Sequence, residues 1–204
     1  MQTRLSRCSL RSLGLNVGLG LWAFWGSACL ALAATTAVPA PQATIDALAK
    51  ANAAVVGVRV SAQEGARSAD TLGQRRSGSG VVIGPDGLIL TIGYLMVEAQ
   101  NIEIVTQDNK TLPAQAVAYD QATGFGLVRP ILPLRGVQPV KLGSLQELRT
   151  GEPLMVSSGP QPGGEEADVS MVQVVSQRAF SGYWEYHIDS AIFTSPPVGN
   201  HSGA

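Results

Sequence analysis

The chain has 204 residues, 45% of them hydrophobic and 14% charged, with a formal net charge of -1 at pH 7. That content is too apolar for a disordered chain and sufficient to bury one or two compact cores. The near-neutral balance, with no run of Lys or Arg long enough to follow a phosphate backbone, excludes nucleic acid as a partner.

Residues 1–33 read as a signal peptide. Arg4, Arg7 and Arg11 form a positive leader, Leu13 to Leu32 is apolar, and Ala31-Leu32-Ala33 supplies the small-x-small cleavage pattern. The other reading of the same stretch is an uncleaved membrane anchor, since its apolar length matches the roughly 20 residues that span a bilayer. A membrane is a partner only in that case. Both cysteines, Cys8 and Cys29, lie inside this segment, so the mature chain has no thiol for a disulfide or a nucleophile. A lipidated Cys29 is disfavoured by Gly26 and by the apolar run that continues past the cysteine. Residues 34–52 form an Ala, Thr and Pro rich lead-in followed by a short helix, capped by Thr44 and carrying Ile45, Leu48 and Ala49 at helical spacing.

From residue 53 the pattern turns to strands. Val55 to Val60 and Gly80 to Ile83 are β-branched runs, and Gly84-Pro85-Asp86-Gly87 before Leu88 predicts a β-hairpin. Ser61 to Ser77 is expected to be a polar, solvated loop that holds the adjacent Arg75 and Arg76. Further strands at Ile102 to Thr106, Thr111 to Ala118 and Phe125 to Arg129 bring the number to about six before Pro133. A second series covers Leu154 to Ser157, Val169 to Arg178, which alternates through Met171, Gln173 and Val175, and Glu185 to Ile192. The fold class is all-β, with a first barrel over 53–132, a connection over 133–150 and a second β unit over 151–204.

Several stretches in fixed order resemble the HtrA/DegP serine proteases. Ala53-Ala54-Val55-Val56-Gly57-Val58, Gly78-Ser79-Gly80-Val81-Val82-Ile83 and Asp86-Gly87-Leu88-Ile89-Leu90-Thr91 are similar to the opening of that protease domain. Leu142-Gly143-Ser144, Leu148-Arg149-Thr150-Gly151-Glu152, Ser158-Gly159-Pro160 and Val169 to Ser176 are similar to the start of its second barrel, and Gly199-Asn200 to its nucleophile loop. The resemblance covers about residues 53 to 204 and implies a trypsin-like double β-barrel. The family continues beyond the position of Ala204 with closing strands, so the second barrel is expected to be incomplete at its C-terminal end. No PDZ-like region follows. Between Trp25 and Tyr94 there is no aromatic residue, which leaves the family's aromatic trimer contacts, and hence oligomerisation, in doubt.

Acyl transfer by a serine needs a hydroxyl, an imidazole that takes its proton, a carboxylate that orients the imidazole, and backbone N–H groups for the oxyanion. The resemblance puts the histidine position three residues after Thr91, and Tyr94 occupies it. A phenol with an ordinary pKa of about 10 is a poor general base at neutral pH, so Tyr94 is expected to pack with a polar tip. The aspartate position falls in Thr123-Gly124-Phe125-Gly126-Leu127 and is Gly124. Asp120 matches an aspartate that the family carries ahead of this turn, where it starts the turn. The nucleophile loop reads Gly199-Asn200-His201-Ser202-Gly203-Ala204 against a family pattern of Gly-Asn-Ser-Gly-Gly-Pro. Counted from Gly199, His201 fills the serine position; with His201 taken as inserted, Ser202 is the nucleophile candidate.

Neighbouring side chains in an extended or turn segment point apart, so His201 is not expected to activate Ser202. No intact triad is expected, and Gly199, Asn200 and Ser202 remain as candidates for an oxyanion loop. His187, on a predicted strand, is expected to be structural. Two histidines without a nearby cysteine or His-x-x-x-His spacing predict no metal site, and no cofactor is implied. The expected function is that of a catalytically inactive HtrA/DegP homologue that binds polypeptides or unfolded proteins in the periplasm or cell envelope. The alternative is an active serine endopeptidase that uses Ser202 in protein quality control.

Overall fold

The computed structural model describes residues 41–161, 167–182, 186–199 and 202–203. The predicted signal peptide, Asn200, His201 and Ala204 lie outside the described residues. Helix α1 (Pro41–Ala53) begins three residues before the predicted cap at Thr44. Proline suits a first helical turn because its missing N–H has no partner there in any case. None of its residues is buried. Among the described residues no helix is long and apolar enough to cross a membrane.

The first β unit consists of β1 (Val55–Ala62), β2 (Arg75–Val82), β3 (Ile89–Ile92), β4 (Ala99–Val105), β5 (Thr111–Asp120) and β6 (Phe125–Pro130). These close into an antiparallel barrel in the order β1-β2-β3-β6-β5-β4. Strand alternation explains the core: Val56, Val58 and Val60 on β1 all point inward and meet Val82, Ile89, Ile104 and Val128. Each such side chain contributes about 1.5–3 kcal/mol on burial. The hairpin predicted at Gly84-Pro85-Asp86-Gly87 joins β2 to β3. Gly87 donates to the Gly84 carbonyl at 3.0 Å and Ile83 to the Leu88 carbonyl at 2.8 Å.

The predicted loop over Ser61 to Ser77 requires correction. β1 runs on to Ala62, a short helix α2 (Ala69–Leu72) follows, and Arg75 already opens β2. Arg76 is only 6% exposed. Its guanidinium donates to the carbonyls of Gly73 (3.0 Å), Tyr94 (3.2 Å) and Val97 (2.6 Å) and to the Ser68 hydroxyl (2.7 Å). A planar fork of five donors can be buried when carbonyls of several segments converge on it. That convergence is a tertiary property, which a dibasic pair in a polar stretch does not announce.

The second unit is a three-stranded antiparallel sheet of β7 (Pro153–Ser157), β8 (Val169–Gly182) and β9 (Tyr186–Ser195), in the order β7-β8-β9. The predicted alternation of β8 holds. Val172 and Val174 are buried, whereas Met171 and Val175 on the other face are 58% and 50% exposed. The segment that precedes β8 packs directly on the barrel. A Cβ at Gly159 would lie 2.1 Å from the Val56 carbonyl carbon, and one at Gly57 would lie 2.1 Å from the Pro160 oxygen. Only glycines permit two backbones to approach so closely. The fold is thus all-β, a closed six-stranded barrel with a partial second sheet, as the sequence predicts.

Candidate functional site

Ser79 is the node on which the site is assembled. It is fully buried on β2. Its carbonyl accepts from the Thr91 hydroxyl on β3 at 2.7 Å, and its hydroxyl accepts from the Gly159 amide at 3.0 Å. Its own amide donates to the Ser202 carbonyl at 2.7 Å. The turn at Ser202 and Gly203 is therefore docked on the barrel, and a Cβ at Gly203 would lie 2.2 Å from the Ser79 oxygen. Sequence reading quoted Ser79 only as part of a Gly-Ser-Gly run. Its buried hydroxyl links segments 80 residues apart, so nothing local marks it.

The end of β3 delivers a 3-10 turn, Gly93–Met96, which carries Tyr94. Tyr94 is half-buried against the barrel core, as its predicted packing role requires. The Gly93 amide donates to the Gly124 carbonyl at 2.7 Å, which ties this turn to the loop between β5 and β6. The turn that carries Tyr94 and the loop that carries Gly124 are thus held side by side.

Gly124 has φ +76°, and a Cβ there would sit 2.8 Å from Cγ of Tyr186 and 3.0 Å from its Cδ1. The place from which a carboxylate would extend is occupied by a tyrosine ring from β9. Gly93 stands in a similar relation to Tyr119, whose Cε2 would be 2.0 Å from an added Cβ. Sequence analysis missed both tyrosines as site residues. Each ring meets its glycine across a tertiary contact, which no local pattern of the sequence announces.

Asp120 closes its own turn. Its Oδ2 accepts from the Thr123 hydroxyl at 2.6 Å and its Oδ1 from the Ala122 amide at 3.0 Å. These bonds, the Thr123 hydroxyl foremost, hold its carboxyl below the usual aspartate range. It is exposed and fastens the turn, the role expected of it. His187 is on β9 with its side chain 53% exposed. Its Nδ1 lies 2.8 Å from the Ser181 hydroxyl on β8, and its Nε2 lies 3.5 Å from Asp189 Oδ1. His187 and Ser181 are paired directly across β8 and β9, so the imidazole belongs to the outward side of that pair. Among the described residues no imidazole or carboxylate is hydrogen-bonded to the Ser202 hydroxyl.

Between these elements lies a cleft of about 240 Å³ that is walled by Thr91, Ile92, Gly124, Phe125, Tyr186, Ile188 and Gly203. Its walls are predominantly apolar, with Phe125 45% exposed at the rim. Of the oxyanion candidates, Gly199 and Ser202 are described. Among the described residues no three His, Cys, Asp or Glu side chains gather as metal ligands.

Comparison with known proteins agrees with this geometry. The profile of the trypsin-like peptidase domain family matches residues 78–204. The chain is 32% identical over 85 residues to serine protease HTRA1 of Xenopus laevis, a match that covers 41% of this chain and 18% of that protein. It is 29% identical over 83 residues to a DegP-like periplasmic serine endoprotease of Ectopseudomonas mendocina, covering 41% of this chain and 17% of that one. Among solved structures it is similar to the HtrA-type protease AlgW with decapeptide, with a TM-score of 0.59 at 20% identity, over 78% of this chain and 54% of that one. The matched segment therefore spans about a fifth of the curated relatives and about half of the solved chain.

Proposed function

We propose, from the premise that this chain belongs to the trypsin-like peptidase domain family and is an HtrA-like member of it, that it is a pseudoprotease: a scaffold that holds polypeptide in the cleft between the barrel and the second sheet without cutting it. The observation that supports this reading is the ring of Tyr186 filling the space beside Gly124, together with Tyr94 and Gly124 standing where the sequence resemblance expects a base and an acid.

Chemistry requires that a serine oxygen lose its proton as it attacks. A nucleophile at Ser202 would need a base within about 2.6–3.2 Å, which no described residue supplies. Loss of the histidine from a working triad lowers turnover on the order of 10⁶-fold, and the residual rate comes from oxyanion donors and binding. Backbone N–H groups near Ser202 can still bind a carbonyl oxygen or an anion, but donors alone only bind. The apolar lining of the cleft suits the side chains of an extended polypeptide. Among the described residues β7 and β9 are the outer strands of the second sheet, a position that suits strand addition. Relatives described as periplasmic, together with the signal-like segment at 1–33, favour a place in the bacterial envelope.

The test is hydrolysis of casein and of unfolded peptides by the purified chain, with fluorophosphonate labelling read by mass spectrometry. No cleavage above buffer and no adduct on Ser202 are expected, while unfolded casein is retained on the immobilised protein. Cleavage that disappears in Ser202→Ala, with an adduct on Ser202, would establish the active endopeptidase instead.

A further inference from the structure

We propose that the outward face of the first barrel, away from the cleft, is a second binding site, which takes a carboxylate carried by an acidic polypeptide. A groove of about 640 Å³ crosses β1, β2 and β4 there, lined by Arg59 and Ser61, Arg75 and Ser77, and Asn101 and Glu103. Register places these side chains together. Ser61 pairs with Arg75 and Arg59 with Ser77 on one side, and Arg59 pairs with Glu103 and Ser61 with Asn101 on the other.

The two arginines differ from other basic residues of the barrel. Lys110 pairs with Asp108 at 2.7 Å, Arg129 with Asp86 at 2.9 Å, and Arg76 is saturated by carbonyls. Neither Arg59 nor Arg75 makes an ion pair among the described residues, although Glu103 is the direct cross-strand neighbour of Arg59. The Nε of Arg59, like that of Arg129, is buried with no hydrogen-bond partner, but Arg59 has no carboxylate on its other nitrogens and reaches only the Gln161 carbonyl, at 3.3 Å.

A buried charged donor without an acceptor is destabilising, and it is satisfied when the fork turns towards a carboxylate in the groove. The volume exceeds what one small ion fills. Ser61, Ser77 and Asn101 present hydroxyl and amide groups that can bond peptide N–H and C=O along the three strands. Glu103 repels a phosphate dianion more strongly than a single carboxylate, and two guanidinium groups beside one carboxylate are too few for a nucleic-acid backbone. The groove shares no lining residue with the cleft between barrel and sheet, and the proposal stands whether or not Ser202 is active.

The experiment titrates the purified chain with a rhodamine-labelled Ala-Glu-Ala-Glu-Ala peptide, followed by anisotropy and by amide shifts in heteronuclear NMR. Saturable binding is expected, with shifts at Ser61, Ser77 and Asn101. The Gln-for-Glu peptide, and the variants Arg59→Gln and Arg75→Gln, are each expected to bind about tenfold or more weakly. The exposed Arg75 carries the test alone if Arg59→Gln compromises folding. Equal binding of the Glu and Gln peptides, full affinity in Arg75→Gln, shifts confined to the cleft, or stronger displacement by inorganic phosphate than by acetate would each overturn the proposal.

Discussion

Placing an acid at residue 124 tests whether this position has room for a side chain. Gly124→Asp meets two obstacles. The backbone there is left-handed, at φ +76°, which costs a residue with a Cβ about 1–2 kcal/mol, with Asp near the lower end. The new Cβ would also stand 2.8 Å from Cγ and 3.2 Å from Cβ of Tyr186. Overpacking of this kind costs about 1–3 kcal/mol while neighbours shift. The sum is about 2–5 kcal/mol, a large part of the roughly 5–15 kcal/mol that holds a domain together. For a chain of this length that corresponds to a fall in Tm of about 4–20 °C. The assay is thermal and urea unfolding of the parent, Gly124→Asp, Tyr186→Ala and the double variant. Removing the ring takes away the two nearest atoms and leaves only the Cβ of residue 186, so Gly124→Asp is expected to cost about 1–3 kcal/mol in the Tyr186→Ala background, less than in the parent. Equal costs in both backgrounds would refute the claim that Tyr186 excludes a side chain at 124, and a parent-like Tm for Gly124→Asp would refute the whole estimate.

Further expectations concern the two turns that flank this loop. Tyr94→His is expected to produce no casein hydrolysis above buffer, because an imidazole without an orienting carboxylate loses about 10⁴-fold in turnover; the readout is release of peptide from labelled casein. Arg76→Met leaves the carbonyls of Tyr94 and Val97 without their buried donor and is expected to lose about 3–5 kcal/mol in urea unfolding, with Arg76→Lys recovering only part, since an ammonium cannot span the same acceptors. Hydrogen bonds from the Ser68 side chain and amide hold the Glu98 carboxyl below its ordinary value of 4.5. A depressed folded pKa contributes stability that is present above the unfolded value and disappears as pH falls through the folded one. Glu98→Gln is therefore expected to flatten the fall of the urea midpoint between neutral pH and about pH 3, and an identical acid limb in parent and variant would contradict the assignment.

The sequence by itself determined the strands. Val55 to Val60 alternates inward and outward, and Gly84-Pro85-Asp86-Gly87 is a turn whatever surrounds it, because both signals act over a few residues and are written in side-chain branching and backbone freedom. The order of these pieces then sufficed for the barrel. What fills the space around them was decided by tertiary structure alone. Tyr186 reaches Gly124 from 62 positions downstream, Ser202 docks on Ser79 from 123 positions away, and Arg76 is buried because carbonyls of the turn at Tyr94 and Val97 join that of Gly73 around it. Such contacts depend on register and barrel closure, which place residues together irrespective of their separation in the chain. A polar stretch can therefore conceal a buried guanidinium, and a glycine can mark the place that another strand's ring has taken.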